Sequence, residues 1–286
     1  MVEDKETDNA YCEQTSFELD VIFNERCEDT MKHMHRACVS VDLVLTSPPY
    51  NTNKKFGKKT VLDIRDDGTF PYLRYDTVMD TMTNEEYTAW TVDLFRGFSK
   101  VVKPNGVVLY NMSYGNENTE VMLRTLCEVI TQTEWTLADI ISWKKSNALP
   151  NNVSPNRLTR IVEYIYVLCR RGEEKTFHCN KPVTSVRSNG QRMYGGMFNF
   201  VEAKNNDGVC PYNKATFSSD LVFSLLTMYG VKGGVVYDPF MGSGTTAIGA
   251  LRYGCSYIGS EISENQVKYA RERISEWMSH NPCVLN

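Results

Sequence analysis

The sequence predicts an α/β protein built on a mostly parallel sheet, and three observations carry that expectation. Strand-like and helix-like segments alternate along most of the chain, the order expected of a parallel sheet covered by helices. The run Val41-Asp42-Leu43-Val44-Leu45 is apolar with poor alternation, as suits a strand buried on both faces. Far downstream, Val235 to Thr246 reads as a strand, a tight glycine loop and a helix start.

The elements follow in order. Phe17 to Phe23 alternates with period two and predicts a first strand, with Asn24 as cap of a helix carrying Met31, Met34 and His35. The buried strand Val41 to Leu45 then runs into Thr46-Ser47-Pro48-Pro49-Tyr50-Asn51. Two consecutive prolines end it abruptly, because neither can donate a ladder hydrogen bond and each fixes φ. Asn51 to Asp80 shows weak periodicity and holds Lys54, Lys55, Lys58, Lys59, Arg65 and Arg74, a long basic loop of the kind that meets phosphates. A helix begins at Asn84, shows Trp90, Leu94, Phe95 and Phe98 on one face, and stops near the turn signal Pro104-Asn105-Gly106.

Val107 to Met112 predicts a strand, Glu117 to Ile130 a helix, Leu137 to Trp143 and Ile161 to Leu168 two further strands. From Arg170 to Asn213 the pattern dissolves into basic residues, among them Arg187 and Arg192, interleaved with Phe177, Tyr194, Phe198 and Phe200. This stretch is the candidate for a separate recognition lobe. Regular structure resumes with helix Ser219 to Tyr229, strand Val235 to Tyr237, helix Thr245 to Tyr253, strand Ser256 to Gly259 and helix Glu264 to Met278. The expected division is thus a flexible arm over 1–16, one half of the α/β domain over 17–169, the lobe over 170–212, and the other half of the same domain over 213–280.

Composition narrows the function classes. With 286 residues, 42% hydrophobic and 23% charged, the chain can bury a substantial core. A net charge of -4 gives no overall pull toward nucleic acid, so any basic surface has to be local. No apolar run reaches the ~18 residues of a membrane span, and the acidic, polar N-terminus is no signal peptide. Nine cysteines without a C-x-x-C pair suit reduced, mostly buried thiols rather than a zinc site. No metal is expected. The expected compartment is intracellular, cytoplasm or nucleus depending on the host, not secreted.

Two stretches carry chemistry. At the Ser47 corner a hydroxyl, the Pro48 carbonyl and the Tyr50 aromatic face can hold a planar, amino-bearing ring, at the carboxyl end of a strand where α/β sheets place ligands. The second stretch is Asp238-Pro239-Phe240-Met241-Gly242-Ser243-Gly244-Thr245-Thr246. It lacks the Lys of a phosphate loop and the dinucleotide glycine pattern. Asp238 suits a cation or a polar amino acid moiety, and Glu261 ends the next strand where an acid takes ribose hydroxyls. A ligand with a ribose and a positive end but no phosphate fits S-adenosylmethionine.

On these residues the chain resembles the β-class amino-methyltransferases that act on DNA, over roughly Asp20 to Met278. Ser47-Pro48-Pro49-Tyr50 is similar to their catalytic motif, and Asp238 to Thr246 with Glu261 to their cofactor motif. Val102 to Gly106, Trp143-Lys144, Arg157-Leu158-Thr159 and Glu163-Tyr164 also look like family segments. The resemblance implies a Rossmann-like S-adenosylmethionine-dependent methyltransferase fold with circularly permuted motif order, the catalytic motif preceding the cofactor motif.

It further implies that Ser47, Pro48, Pro49 and Tyr50 handle the target amine, with Tyr50 stacking on a flipped-out base. Asp238, Pro239, Phe240, Gly242, Ser243, Gly244, Thr245, Thr246 and Glu261 would hold the cofactor, together with Thr216 and Phe217. Lys54, Lys55, Lys58, Lys59, Arg187 and Arg192 are the DNA-contact candidates. Two departures stand out: Glu25-Arg26 precede Cys27 where the family has Gly-Asp, and Asn213 to Ser218 lack its His and Pro. Ser at the first motif position is typical of cytosine-N4 members, so the expected reaction is direct methylation of cytosine N4 in DNA. The same chemistry on adenine N6, another methyltransferase substrate on this fold, and a non-catalytic DNA- or cofactor-binding subunit are the alternatives. A carbon-5 cytosine enzyme needs a Pro-Cys nucleophile, and Pro282-Cys283 lies in the tail. Partners compatible with the resemblance are DNA, a second copy of the chain and a cognate restriction nuclease.

Overall fold

The computed structural model describes residues 17–51, 82–113, 118–148, 150, 155–208, 210–213 and 216–282. The N-terminal arm, the basic loop with Lys54, Lys55, Lys58 and Lys59, and the expected helix start at Glu117 lie outside the described residues.

Strand β1 (Val21–Phe23) is followed by helix α1 (Cys27–Arg36), β2 (Val41–Thr46), α2 (Asn84–Val101), β3 (Val102–Met112), α3 (Val121–Gln132), β4 (Trp135–Lys145) and β5 (Val162–Arg170). Then come β6 (Val183–Val186), β7 (Arg192–Tyr194), β8 (Phe200–Ala203), α4 (Ser219–Tyr229), β9 (Val235–Asp238), α5 (Thr245–Tyr253), β10 (Ser256–Ser260) and α6 (Glu264–His280). Eight strands form one sheet in the order β1-β10-β9-β2-β3-β5-β4-β8, and β6 pairs with β7 in a separate hairpin. Within the eight-stranded sheet all pairings are parallel except the two made by β5. The sheet is therefore mostly parallel, as the sequence predicts.

Burial on both faces explains the run Val41 to Leu45. Leu43 and Leu45 point into a core shared with α4, α5 and α6, while Val41 and Val44 point into a second core under α1, α2 and α3. Both sides are apolar because helices cover both sides.

Several boundaries differ from expectation, each for a local reason. β1 begins only at Val21, since Asp20 adopts φ 59 and breaks the extended run. Asn24 does not cap α1. Arg26 holds that position, and the Asn24 amide instead donates to the Glu261 carbonyl at 2.9 Å. The Pro104-Asn105-Gly106 signal does not end α2 in a loop: the helix passes directly into β3, which absorbs the signal with Asn105 at φ 61 and a register shift opposite Val41 and Leu43.

Between Arg170 and Asn213 the sequence pattern gives no strand, yet three form. β8 even joins the main sheet, parallel to β4 through Ser142–Phe200 to Lys145–Ala203. Four residues on a sheet edge are too short to show a period in sequence. Among the described cysteines Cys27, Cys169, Cys210 and Cys255 are buried free thiols, and Cys127 and Cys179 exposed ones. Cys38 is disulfide-bonded, which corrects the expectation of reduced thiols at that position. Among the described residues no helix is long and apolar enough to cross a membrane.

Candidate active site

β2 and β9 are neighbours in the sheet, in register through Leu43–Val236 and Val44–Tyr237. Their carboxyl ends therefore lie side by side, although the residues concerned are far apart in sequence. Thr46 at the end of β2 donates its hydroxyl to Asp238 Oδ1 at 2.7 Å, across 192 residues of chain. Asp238 is 1% exposed. Burial pushes its carboxyl up to about 6, against hydrogen bonds from the Thr246 and Thr46 hydroxyls and the Phe240 N–H that favour the charged form.

The loop after β9 is shaped by its glycines. Gly242 has φ 52 and Gly244 φ 80, both left-handed. A Cβ on Gly244 would also press within 3.1 Å of the Ala270 Cβ in α6. An L side chain there meets both backbone strain and a packed helix. The loop is then tied at two points. Glu261, just past β10, accepts the Gly242 N–H on Oε2 and the Ser263 N–H on Oε1, each at 2.9 Å. Arg273 of α6 donates to the Ser243 carbonyl at 3.0 Å and the Thr245 hydroxyl at 2.9 Å, and its other nitrogen reaches Asp207 at 2.8 Å.

The corner after β2 is tied from behind. The Pro49 carbonyl accepts the Tyr87 hydroxyl at 2.8 Å. The Tyr50 hydroxyl lies 3.0 Å from Ser47 Oγ, 2.9 Å from Asn111 Nδ2 and 3.2 Å from Glu163 Oε2. Glu163 in turn pairs with Lys145. Tyr50 is consequently 5% exposed. Its ring is packed in the core under α1, α2 and α3, and Tyr50 is not among the residues that border the cleft where the two motifs meet. The hydroxyl is drawn inward to a charged pair.

Both motifs meet on one cleft of about 880 Å³. Ser47 and Pro49 border it from the β2 corner. Asp238, Pro239, Phe240, Gly242, Ser243, Thr245 and Glu261 border it from the glycine loop and β10, and Thr216 and Phe217 from the segment before α4. Pro48 and Thr246 are buried next to these lining residues in sequence, and Gly244 caps α5. Arg187 and Arg192 are exposed at the strand ends of the β6–β7 hairpin and do not line the cleft.

Further wall residues come from α1, its cap and α2. Arg26, Cys27 and Glu28 line the cleft where the family's Gly-Asp would stand. Burial pushes the Cys27 thiol far up, so it lines the wall uncharged. Trp90 donates its indole N–H to Glu28 at 3.1 Å and packs its ring 5.6 Å from that of Phe240. Trp90 reads in sequence as one more apolar position of α2. Asn111 carried a better signal, being an amide inside the apolar run Val107 to Met112.

A sequence profile of the DNA methylase family, covering the N6/N4 methyltransferases, matches residues 41–272. The Type II methyltransferase M2.DpnII of Streptococcus pneumoniae is 25% identical over 245 residues, 82% of each chain. Type II methyltransferase M.MjaI of Methanocaldococcus jannaschii is 24% identical over 264 residues, covering 82% of this chain and 85% of that one. Among solved structures, the PvuII DNA methyltransferase (cytosine-N4-specific) superposes with a TM-score of 0.61 at 17% identity over 91% of both chains. The M1.HpyAVI–SAM complex does so with a TM-score of 0.59 at 17% identity over 88% of this chain and 98% of that one.

Proposed function

The chain belongs to the DNA methylase family that its residues 41–272 match, and from that premise we propose that it transfers a methyl group from S-adenosylmethionine to the N4 amine of a cytosine in DNA. One observation carries the reading: the Ser47 corner and the Asp238–Glu261 loop border the same cleft. A direct transfer requires donor and acceptor on one cavity, held in line.

The cleft fits the cofactor. Asp238, buried and raised to about 6 by that burial, gains from a positive group beside it. Glu261 can take ribose hydroxyls, Trp90 and Phe240 give an aromatic wall, and Thr216, Phe217, Pro239, Ser243 and Thr245 close the remainder. Gly242, Gly244 and Thr246 set the loop and helix start that present these groups. When bound, S-adenosylmethionine supplies an electrophilic methyl group.

The chain's own residues do the rest. Ser47 Oγ and the Pro48 carbonyl accept the two N–H bonds of the target amine, which aims the nitrogen lone pair across the cleft. This is positioning and electrostatic help. Pro48 and Pro49 keep the corner stiff. The base has to leave its stack to reach a corner this deep. Arg187 and Arg192, with Lys54, Lys55, Lys58 and Lys59, are the phosphate contacts in this reading, and 170–212 is the recognition segment. Self-association and a cognate restriction nuclease are its further parts. Ser47, as first residue of the motif, favours cytosine over adenine.

Unmethylated DNA incubated with isotope-labelled S-adenosylmethionine and digested to nucleosides tests this by mass spectrometry. Labelled N4-methylcytosine is expected. Labelled N6-methyladenine would move the target to adenine, and no labelled nucleoside would overturn the reading.

A further inference from the structure

A serine hydroxyl can donate or accept, and the proposed reaction needs Ser47 to accept. The groups behind the corner decide which it does. Glu163 on β5 forms an ion pair with Lys145 through Oε1, both side chains well buried at 13% and 16% exposure. Its second oxygen, Oε2, lies 3.2 Å from the Tyr50 hydroxyl. A carboxylate has no hydrogen to give, so Tyr50 donates to it. That uses the one hydrogen Tyr50 has. The Tyr50 oxygen can then only accept from its other neighbours, Asn111 Nδ2 at 2.9 Å and Ser47 Oγ at 3.0 Å. The Asn111 amide, also 3.4 Å from both Ser47 Oγ and Glu163 Oε2, adds donors and no acceptor on this side. Ser47 therefore gives its hydrogen to Tyr50, and beside the long contact from Asn111 it keeps acceptor capacity for the cleft that it lines.

We propose that Glu163, acting through Tyr50, is a positioning residue that fixes Ser47 as a hydrogen-bond acceptor and so selects an amino-bearing base edge over a carbonyl-bearing one. This rests on the reading of the Ser47 corner as the base site. It gives Tyr50 a task that its burial permits, in place of stacking. The direction of the chain is set at its inner end by charge: Lys145 to Glu163, Tyr50 to Glu163, Ser47 to Tyr50.

The substitution Glu163→Gln keeps the shape but offers Tyr50 a donor, which allows the whole chain to reverse. With unmethylated plasmid DNA and labelled S-adenosylmethionine, kcat should fall on the order of 10²-fold, while cofactor binding measured by titration calorimetry is unchanged. Glu163→Asp should recover part of the loss. Tyr50→Phe cuts the same chain, so the double variant Tyr50→Phe with Glu163→Gln should be no slower than Tyr50→Phe alone. A merely structural role would multiply the two losses, and that result overturns the proposal. So does a parental kcat for Tyr50→Phe, which decides the matter even if Glu163→Gln fails to fold. Ser47→Ala serves as the control for the site itself: a parental rate there overturns the base-site reading and this proposal together, whereas a slow Ser47→Ala beside a parental Glu163→Gln overturns only the latter.

Discussion

Asp238 and Arg192 stand for two regions that hold their candidate side chains in opposite ways. Around Asp238 the sheet is parallel and covered on both faces, and every residue of α5 from Thr245 to Leu251 is buried. The polar groups there are held by partners inside the protein: Asp238 by two threonine hydroxyls and a backbone N–H, Glu261 by two backbone N–H groups. Around Arg192 the β6–β7 hairpin stands outside the main sheet. All of β6 is exposed, and Tyr194, Phe198 and Phe200 keep 52%, 78% and 48% of their surfaces open. The first region has its geometry fixed before any ligand arrives, which limits the reorganisation that binding costs. The second is free to change in sequence without disturbing the core.

The strongest way to sharpen that contrast is Asp238→Asn. Losing a charge from a buried, fully hydrogen-bonded position should weaken S-adenosylmethionine binding at least about tenfold, ~1.4 kcal/mol or more, as read by calorimetry. The same variant carries a signature in pH. Burial raises the carboxyl from 3.8 to about 6 in the folded protein, so the folded state holds this proton more tightly than the unfolded chain. Its stabilising contribution is complete below the unfolded value and is lost as pH rises through about 6, ~3 kcal/mol in all. Urea midpoints of the parent should show that component between about pH 4 and about pH 7, and Asp238→Asn should lack it. An identical pH profile in both proteins would mean that Asp238 is not the buried acid described above.

A smaller effect is expected at Glu261→Gln, which keeps an acceptor for one of the two backbone N–H groups and leaves the other short. A loss of about 1–2 kcal/mol of stability, seen in thermal melts, should accompany a modest fall in cofactor affinity. Unchanged melting would show that the glycine loop does not depend on this tie.

The smallest structural effect belongs to Arg187→Ala and Arg192→Ala. Each should leave stability within about 0.5 kcal/mol, yet weaken DNA binding and lower the salt dependence by about one phosphate contact apiece. A clear drop in melting temperature would break the comparison, because the hairpin would then be supporting the sheet.

How much of this could be read in advance depends on how far each signal reaches along the chain. The two motifs were legible because their chemistry is local: prolines that end a strand, glycines that permit a left-handed turn, an acid at a strand end. Elements with several buried turns, such as α2 and α6, were legible from their periods. β8 was not, since four residues on an edge carry no period. Asn24 was misread as a cap because a short polar residue before a helix has the same local look whether it bonds its own helix or a carbonyl in another segment.

What the sequence alone determined is the list of chemical parts: an acceptor corner at Ser47, an acid and a glycine loop at Asp238 to Thr246, a second acid at Glu261, all on an α/β frame. What only the tertiary structure decided is which parts touch. The pairing of β2 with β9 brings Thr46 to Asp238 across 192 residues. The antiparallel pairing of β5 with β3 carries Glu163 to Tyr50 and Asn111. Strand order is set by how whole faces are buried together, and hydrogen-bond direction by which neighbour happens to be charged. Neither quantity is a property of any single stretch of chain.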